Sequence, residues 1–338
     1  MTSILKNTNT QFKHQHYAHC ESGVMSSMLI HHGLPLSEPM VFGLSSALVF
    51  AYLPFVKLSG MPLIAYRSMP KSIMKGLQKS IGLKMKLEKF SKPEQGTKRL
   101  DELLEQGKIV GAQTSVFWLP YFPEEMRFHF NAHNLIIVGK KHGSYKISDP
   151  VFEHLVEAEE KALQKARFVK GVMAPKGSLY YPTHIPSLID YPKVIEKSIK
   201  KTAKTMLKTP VPIAGLKGMH FLAKHIRQLE NKDEHYAKLF LGHIIRMQEE
   251  IGTGGAGFRY IYASFLQEAS ELINNEKLKT ASIEMTAIGD EWREFALLIA
   301  KAIRPRNKKA IEFDIIAAKL ESVAEQEKQL YLSLMRAF

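Results

Sequence analysis

Strand-like runs stop near residue 186 of this 338-residue chain. Before that point, short runs rich in β-forming residues alternate with helical segments. After it, apolar residues recur at helical spacing, and glycines and prolines separate one segment from the next. A chain of this length suggests two domains. We therefore predict an α+β fold, with an α/β domain over residues 1–185 followed by an all-α domain of five or six helices over residues 186–338.

One apolar run in the first part has no polar face. Residues 39–55 read PMVFGLSSALVFAYLPF, and Ser37 before them can cap a helix. Because a helix that is apolar all round belongs in a protein interior, we predict a buried helix here, inside the first domain. The uncharged stretch from Leu44 to Val56 is too short to span a membrane, which takes about 20 apolar residues, so we expect no integral membrane segment.

A β-hairpin is the clearest local prediction in the first domain. Residues 128–139 and 144–149 are strand-like, and residues 140–143 form the turn between them. If the strands pair symmetrically about Lys141, His133 and Asp149 lie directly opposite each other, with β-carbons about 4.5–5.5 Å apart. An imidazole–carboxylate hydrogen bond is then within reach. A slip of one residue would place the two side chains on opposite faces of the sheet.

The only cysteine, Cys20, opens a predicted helix that runs to His32. The positive end of a helix dipole and its unbonded backbone N–H groups favour the reactive thiolate. The alternative is a small buried core residue, since cysteine is often buried. A lone cysteine forms no internal disulfide and fits a reducing compartment. Because the N-terminus is also polar where a signal peptide would be apolar, we expect a cytoplasmic protein.

A thiol nucleophile works best with a base that an acceptor orients. Cys20, His133 and Asp149 supply these three groups in the papain-like order of Cys, distant His, then carboxylate. We predict that Cys20 attacks, that His133 takes its proton or holds it as an ion pair, and that Asp149 fixes the imidazole. Taken singly, His133 is also consistent with an ordinary strand histidine, and Asp149 with a turn residue before Pro150.

Several runs together resemble a known family. The stretch HCESGVMSSMLIHHGLPLSEPMVFGLSSALVFAY is similar to the start of the N-terminal domain of butirosin biosynthesis protein H, and the later runs VFWLPY, AHNLIIVGKK and YKISDP resemble its continuation. The resemblance covers roughly residues 15–180. A further run, GTGGAGFRYIYASFLQEA, resembles the helical domain that often follows it.

This resemblance implies a papain-like fold and a cysteine-dependent acyltransferase of natural-product biosynthesis, with Cys20, His133 and Asp149 as the triad. The acyl group would arrive as a phosphopantetheine thioester on an acyl carrier protein, with no cofactor bound, and pass to a small-molecule or lipid acceptor. Related thiol peptidases place an oxyanion-binding Gln six residues before the Cys. Here that position is His14, with Gln15 beside it. We take His14, Gln15 and His19 as candidates for substrate binding.

The second domain adds one candidate region. Four glycines within residues 252–257 precede a predicted helix, and glycines there can let backbone amides approach an anion. A tight turn between helices is the simpler interpretation. From the two-domain layout we predict that Arg259 or Tyr260 faces the active-site cleft. The fourteen histidines show no metal-ligand spacing, so we expect no metal site.

The net charge of +14 is concentrated in two basic segments, residues 57–99 and 193–227. Lys71, Lys75 and Lys79 recur every four residues and would line one side of a predicted helix over residues 70–81. Because acyl carrier proteins are acidic, we take these lysines as the candidate docking face. The alternative is a solvated surface without a partner.

Two other functions stay open. A thiol hydrolase, either a peptidase or an amidase, would use the same triad with water as the acceptor. A basic, non-enzymatic binding protein would leave Cys20 buried and inert. We find no nucleic-acid-binding motif and expect no nucleic-acid partner. The sequence does not specify the acyl group, the acceptor or the oligomeric state.

Overall fold

The computed structural model describes residues 12–58, 60–304 and 310–338. The chain divides into two compact units. The first falls within Met1–Val41 and Ile73–Ile189, and the second within Phe42–Ser72 and Asp190–Phe338. The later boundary lies close to the one we predicted at residue 185. The segment from Phe42 to Ser72, however, belongs to the second unit, whereas the sequence suggested a single break.

The first unit combines an antiparallel sheet with helices. The helices before residue 190 are α1 Cys20–His31, α2 Glu38–Leu44, α3 Ser72–Ser80, α4 Pro93–Glu105 and α5 Glu160–Phe168. The strands of the chain are β1 Leu48–Leu58, β2 Met61–Arg67, β3 Lys84–Glu88, β4 Val110–Thr114, β5 His133–Lys141, β6 Ser144–Ser148, β7 Val156–Glu159 and β8 Leu179–His184. Six of these form one sheet in the order β3-β8-β4-β5-β6-β7, with every neighbouring pair antiparallel.

Strand β5 lies in the middle of the sheet, and its two faces are covered differently. Leu135 and Ile137 belong to a buried apolar cluster that includes Leu100 of α4 and Leu163 of α5. Successive side chains of a strand point to opposite faces, so Asn134 and Ile136 face the other way. Helix α1 packs against β5. The N-terminus of α1 is thereby brought to the start of β5, where His133 stands.

The apolar run at residues 39–55 is not one helix, so the predicted buried helix is wrong beyond Leu44. Helix α2 ends there, and Ser46 has a positive φ of 56° that a continuing right-handed helix does not allow. The run then becomes strand β1, which pairs antiparallel with β2. The sequence VFAYLPF is rich in β-forming residues, and this preference prevails over the helical pattern.

The second unit holds the helical C-terminal region that the sequence predicted. Its helices are α6 Tyr191–Lys208, α7 Gly215–Gln228, α8 Glu234–Ile245, α9 Arg259–Ile273, α10 Glu276–Ala302 and α11 Phe313–Leu334. The unit is not all-α, because it also contains the β1–β2 hairpin. The N–H of Tyr52 in β1 donates to the carbonyl of Ile213 at 2.8 Å. Phe50 and Tyr66 of the hairpin both contact the ring of Trp292.

Across residues 12–58, 60–304 and 310–338, the structure contains no helix with the length and apolar character of a membrane-spanning segment.

Candidate active site

Cys20 is the first residue of α1 and is 9% exposed. The backbone that leads into it is held by one carboxylate. Glu38, the first residue of α2, accepts hydrogen bonds from the N–H of Ala18 at 3.0 Å, the N–H of His19 at 2.9 Å and the hydroxyl of Ser22 at 2.8 Å. Burial raises the pKa of Glu38, although these donors act against the shift. Glu38 therefore fixes the turn that presents the thiol at the helix N-terminus.

His133 and Asp149 form a buried pair. The distance from His133 Nε2 to Asp149 Oδ2 is 2.7 Å, and the two residues are 3% and 0% exposed. Asp149 also accepts hydrogen bonds from the hydroxyl of Tyr121 at 2.9 Å and from the N–H of Val151 at 3.1 Å. Because Nε2 is engaged by the carboxylate, Nδ1 is the ring nitrogen left for the thiol.

The charge state of His133 follows from these neighbours. Burial lowers the pKa of the imidazolium, but Asp149 and a hydrogen bond with Cys20 raise it by more, so that the pKa of His133 is raised to about 10. The ring is therefore protonated at neutral pH. A thiol beside a protonated imidazole, at the positive end of a helix, is favoured as the thiolate. The structure thus places a thiol at a helix N-terminus beside a buried imidazole–carboxylate pair.

The hairpin brings His133 and Asp149 together in a register that differs from the predicted one. The turn is formed by His142 and Gly143, both with positive φ, and Lys141 pairs with Ser144. In that register, uninterrupted, Asp149 would lie opposite Ile136 and face away from His133.

A β-bulge at Val138 corrects the mismatch. The pairing shifts by one residue between Ile137 and Gly139, so Ile136 lies opposite Ser148. The next residue, Asp149, then falls opposite Leu135 and on the same face as His133, which it reaches diagonally across the pair. The predicted symmetry about Lys141 is wrong, and the bulge is the reason that the two side chains still meet.

Both ring nitrogens of His14 have hydrogen-bond partners within the protein. Its Nδ1 lies 2.7 Å from the hydroxyl of Ser148, and its Nε2 lies 2.9 Å from the carbonyl of Phe152. A carbonyl only accepts, so Nε2 carries the proton and donates it there. His14 therefore ties the segment before α1 to β6 and the loop after it, and its predicted role in substrate binding stays a prediction.

The other two candidates near the thiol differ in exposure. Gln15 is exposed, and its Oε1 accepts from the hydroxyl of Tyr17 at 2.6 Å. His19 is buried and caps α1, with Nδ1 lying 2.8 Å from the hydroxyl of Ser22. His19 thus has a local structural contact beside the nucleophile, and its role in substrate binding is likewise untested.

Arg259 and Tyr260 have partners within the second unit. Arg259 is fully buried, and its Nε donates to Glu327 Oε1 at 2.8 Å. The hydroxyl of Tyr260 donates to Asp290 at 2.7 Å. In the glycine-rich loop, the N–H of Ala256 donates to the carboxylate of Glu249 at 3.2 Å, so the chain supplies its own anion there. These contacts give Arg259 and Tyr260 structural roles. That either residue faces the active-site cleft stays a prediction.

The three lysines of the predicted docking helix do not share one helix. Lys71 stands before α3, which begins at Ser72, and it has a positive φ of 69°. Only Lys75 and Lys79 are on α3, where both are exposed. The expected stripe of three is therefore wrong at Lys71, because the chain turns there before the helix starts.

Tyr121 contacts Asp149, Asn134 contacts Cys20, and Glu38 holds the backbone just before Cys20. Sequence reasoning did not single out any of these three residues. Each of these contacts joins residues that are far apart in the sequence, and no sequence motif marks them. In the part of the chain that the structure describes, no group of three or more His, Cys, Asp or Glu side chains has the arrangement of a metal site.

Comparison with known proteins gives two family matches. Residues 19–150 match the family described as butirosin biosynthesis protein H, N-terminal, and residues 161–334 match a domain of unknown function, DUF4872. No curated protein matches this chain significantly. A crystal structure described as a C39-like peptidase from Bacillus anthracis is similar at 15% identity and a TM-score of 0.33, covering 53% of this chain and 96% of that one.

The DUF4872 match alone spans more than half of the chain, and the other match precedes it along the sequence. As the resemblance of the sequence runs indicated, the chain belongs to the family in which a butirosin biosynthesis protein H N-terminal domain is followed by a DUF4872 domain.

Proposed function

We propose that this protein is a cysteine-dependent acyltransferase that takes an acyl group from the thioester of an acyl carrier protein. The observation that supports this most directly is the buried pair of His133 and Asp149, joined at 2.7 Å, beside a cysteine at a helix N-terminus. The pKa of His133, raised to about 10, favours a thiolate at neutral pH. Membership of the butirosin biosynthesis protein H family supports the choice of an acyl donor.

The chemistry proceeds through a covalent intermediate. The Cys20 thiolate attacks the thioester carbonyl, and the backbone N–H of Cys20 helps to bind the oxyanion. The tetrahedral intermediate collapses, the bond to the phosphopantetheine sulfur breaks, and His133 donates its proton to that leaving thiol. An acceptor amine or alcohol then attacks the acyl-Cys20 carbonyl while the neutral His133 takes its proton. Collapse releases the acylated acceptor and restores the thiolate–imidazolium pair.

Asp149 holds the imidazole with Nδ1 towards the sulfur. Tyr121 and the N–H of Val151 hold Asp149 in turn. These contacts leave the carboxylate little freedom to rotate, so the imidazole orientation is set before substrate binds.

We place the carrier on helix α6 rather than on α3. Five exposed lysines follow one another at spacings of three or four residues on α6: Lys193, Lys197, Lys201, Lys204 and Lys208. The opposite side of the helix is buried through residues such as Ile195, Ile199 and Met206. The lysines therefore face outward from their unit. An acidic carrier protein would be drawn to such a surface by charge.

Intact-protein mass spectrometry tests the function. Incubation with an acyl-carrier thioester should add the acyl mass to the wild-type protein and not to Cys20→Ala, and an added amine or alcohol should remove it as acylated product. Loss of the acyl group at the same rate with and without an acceptor would instead identify a thiol hydrolase. A wild-type protein that gains no acyl group and does not react with an alkylating agent would support the non-enzymatic alternative.

A further inference from the structure

We propose that the side-chain amide of Asn134 donates a hydrogen bond to the Cys20 sulfur and stabilises its thiolate. Asn134 Nδ2 lies 3.9 Å from Cys20 Sγ, within the range for a hydrogen bond to sulfur. Asn134 is only 3% exposed, so water cannot readily replace this donor. The inference deepens the proposed function, because it names a second group that acts on the nucleophile.

The orientation of the amide follows from its other partners. Nδ2 lies 3.0 Å from the carbonyl oxygen of Ala132, which can only accept, so the nitrogen is on that side. The oxygen, Oδ1, accepts from the hydroxyl of Tyr180 at 2.9 Å. An amide nitrogen has two hydrogens. One is directed to Ala132, and the other is left for the sulfur.

Tyr180 is itself fixed as a donor. Burial, and then the charges of Glu21 and Cys20, raise the pKa of its hydroxyl well above 10, so the proton stays on the oxygen. The ring lies over Gly111 of the neighbouring strand, where an added Cβ would come within 2.2 Å of the ring. The glycine thus makes room for the ring whose hydroxyl orients Asn134.

The two consecutive residues of β5 serve the same sulfur in different ways. His133 faces the side of the sheet that holds Phe122, whereas Asn134 faces the side that holds Tyr180. His133 stabilises the thiolate by charge but gives up its proton during transfer. Asn134 carries no titratable proton, so its N–H remains directed at the sulfur in every protonation state of His133. A buried thiolate needs such donors, because removal from water otherwise favours the neutral thiol.

The test is the pH profile of Cys20 alkylation by iodoacetamide, which requires no acyl donor. Asn134→Ala should raise the apparent thiol pKa by about one to two units, the size expected for the loss of one hydrogen bond to a charged group. Asn134→Asp, which keeps the shape and replaces the donor by a carboxylate, should raise it at least as far. Tyr180→Phe, which keeps the ring and removes the orienting hydroxyl, should shift it in the same direction by less.

Asn131→Ala is the matched control, since Asn131 is also buried and donates from Nδ2 to the carbonyl of Val172 at 3.0 Å. Its profile should coincide with that of the wild type. An unshifted profile in a folded Asn134→Ala, or an equal shift in Asn131→Ala, would overturn the inference. If Asn134→Ala does not fold, Tyr180→Phe decides by the same criterion. A shifted profile in a protein that transfers no acyl group would refute the proposed function and leave the inference standing.

Discussion

A buried ion pair lies in each unit of the part of the chain that the structure describes, and these two pairs differ in what they can do. In the first unit, His133 and Asp149 are joined at 2.7 Å, with side chains 4% and 0% exposed. In the second, Arg259 and Glu327 are joined at 2.8 Å, and both side chains are fully buried. Removing charges from water is costly in both places, so each pair depends on its own attraction and on additional hydrogen bonds.

The two pairs differ in the residue type and the surroundings of the cation. The guanidinium of Arg259 lies 4.7 Å from the ring centroid of Trp292, whose indole N–H donates to the same oxygen of Glu327 at 2.7 Å. Arginine keeps its proton in proteins. His133 can gain and lose a proton, and it lies beside a thiol. Of these two buried pairs, the one that contains His133 is therefore the one with a member that can exchange a proton with a reactive neighbour.

The largest expected effect is a loss of acyl transfer, which distinguishes the His133–Asp149 pair from the Arg259–Glu327 pair. Cys20→Ala or His133→Ala should lower the rate of acyl transfer by roughly 10⁴-fold or more, because members of a catalytic triad act as a unit. The fold should persist, as judged by circular dichroism and thermal melting. Single-turnover transfer with a carrier-bound thioester gives the rate. A His133→Ala variant within ten-fold of the wild type would remove His133 from the chemistry.

The second effect is a loss of stability when the Arg259–Glu327 pair is broken. Glu327→Ala leaves Arg259 buried without its partner, which should reduce the free energy of unfolding by about 3–5 kcal/mol. Urea denaturation measures this loss, and the double variant Arg259→Met/Glu327→Leu should recover part of it. The folded fraction should transfer acyl groups at the wild-type rate. A variant with unchanged stability and low activity would instead support the substrate-binding role predicted for Arg259.

The dependence of stability on pH should differ between the pairs. The folded pKa of His133 is raised above its ordinary value of 6.5 to about 10, so its contribution to stability is present below pH 6.5 and is lost as the pH rises towards 10. The Arg259 pair should contribute equally across this range. Unfolding free energies of Cys20→Ala, with and without His133→Gln, should converge as the pH rises. The Cys20→Ala background removes the titration of the thiol and the contribution of Cys20 to the raised pKa of His133. Parallel curves would contradict the raised pKa.

A smaller effect is expected at the second contact of Asp149. Tyr121→Phe removes one hydrogen bond to the carboxylate and should lower kcat about ten-fold with little change in KM, since the hydroxyl acts on His133 through Asp149. Tyr145→Phe is the matched control, because its hydroxyl also donates to a carboxylate, that of Asp101 at 2.7 Å, outside the candidate site. A larger change in KM than in kcat would assign Tyr121 to substrate binding.

The smallest effect concerns the surfaces of the two units. Reversal of two charges on α6, Lys197→Glu with Lys201→Glu, should slow transfer from the carrier-bound thioester several-fold at low salt and leave a small free thioester unaffected. The matched pair on α3, Lys75→Glu with Lys79→Glu, has the same spacing and should change the rate less. High salt should remove both differences. A larger loss of transfer rate in the α3 variant than in the α6 variant would instead assign the docking face to α3.

The sequence predicted those parts of the fold that depend on local pattern. Helix α1 begins at Cys20 as predicted, and β5 and β6 form the predicted hairpin. The apolar run around Ser46 was misread because helix and strand are equally consistent with a run that has no polar face. Glu38, Tyr121 and Asn134 were not identified, since their contacts at the candidate site depend on tertiary packing that no spacing in the sequence reveals.

The bulge at Val138 limits how the β5–β6 hairpin can change in length. A single residue inserted into or deleted from the paired part of either strand would turn His133 and Asp149 to opposite faces of the sheet, unless a second change of the same kind restored the register. Residues can be added in pairs, one to each strand, without this penalty. In members of the family that use the same His–Asp pair, the paired strands of this hairpin should therefore differ by even numbers of residues in total, or should gain or lose a bulge whenever they differ by an odd number.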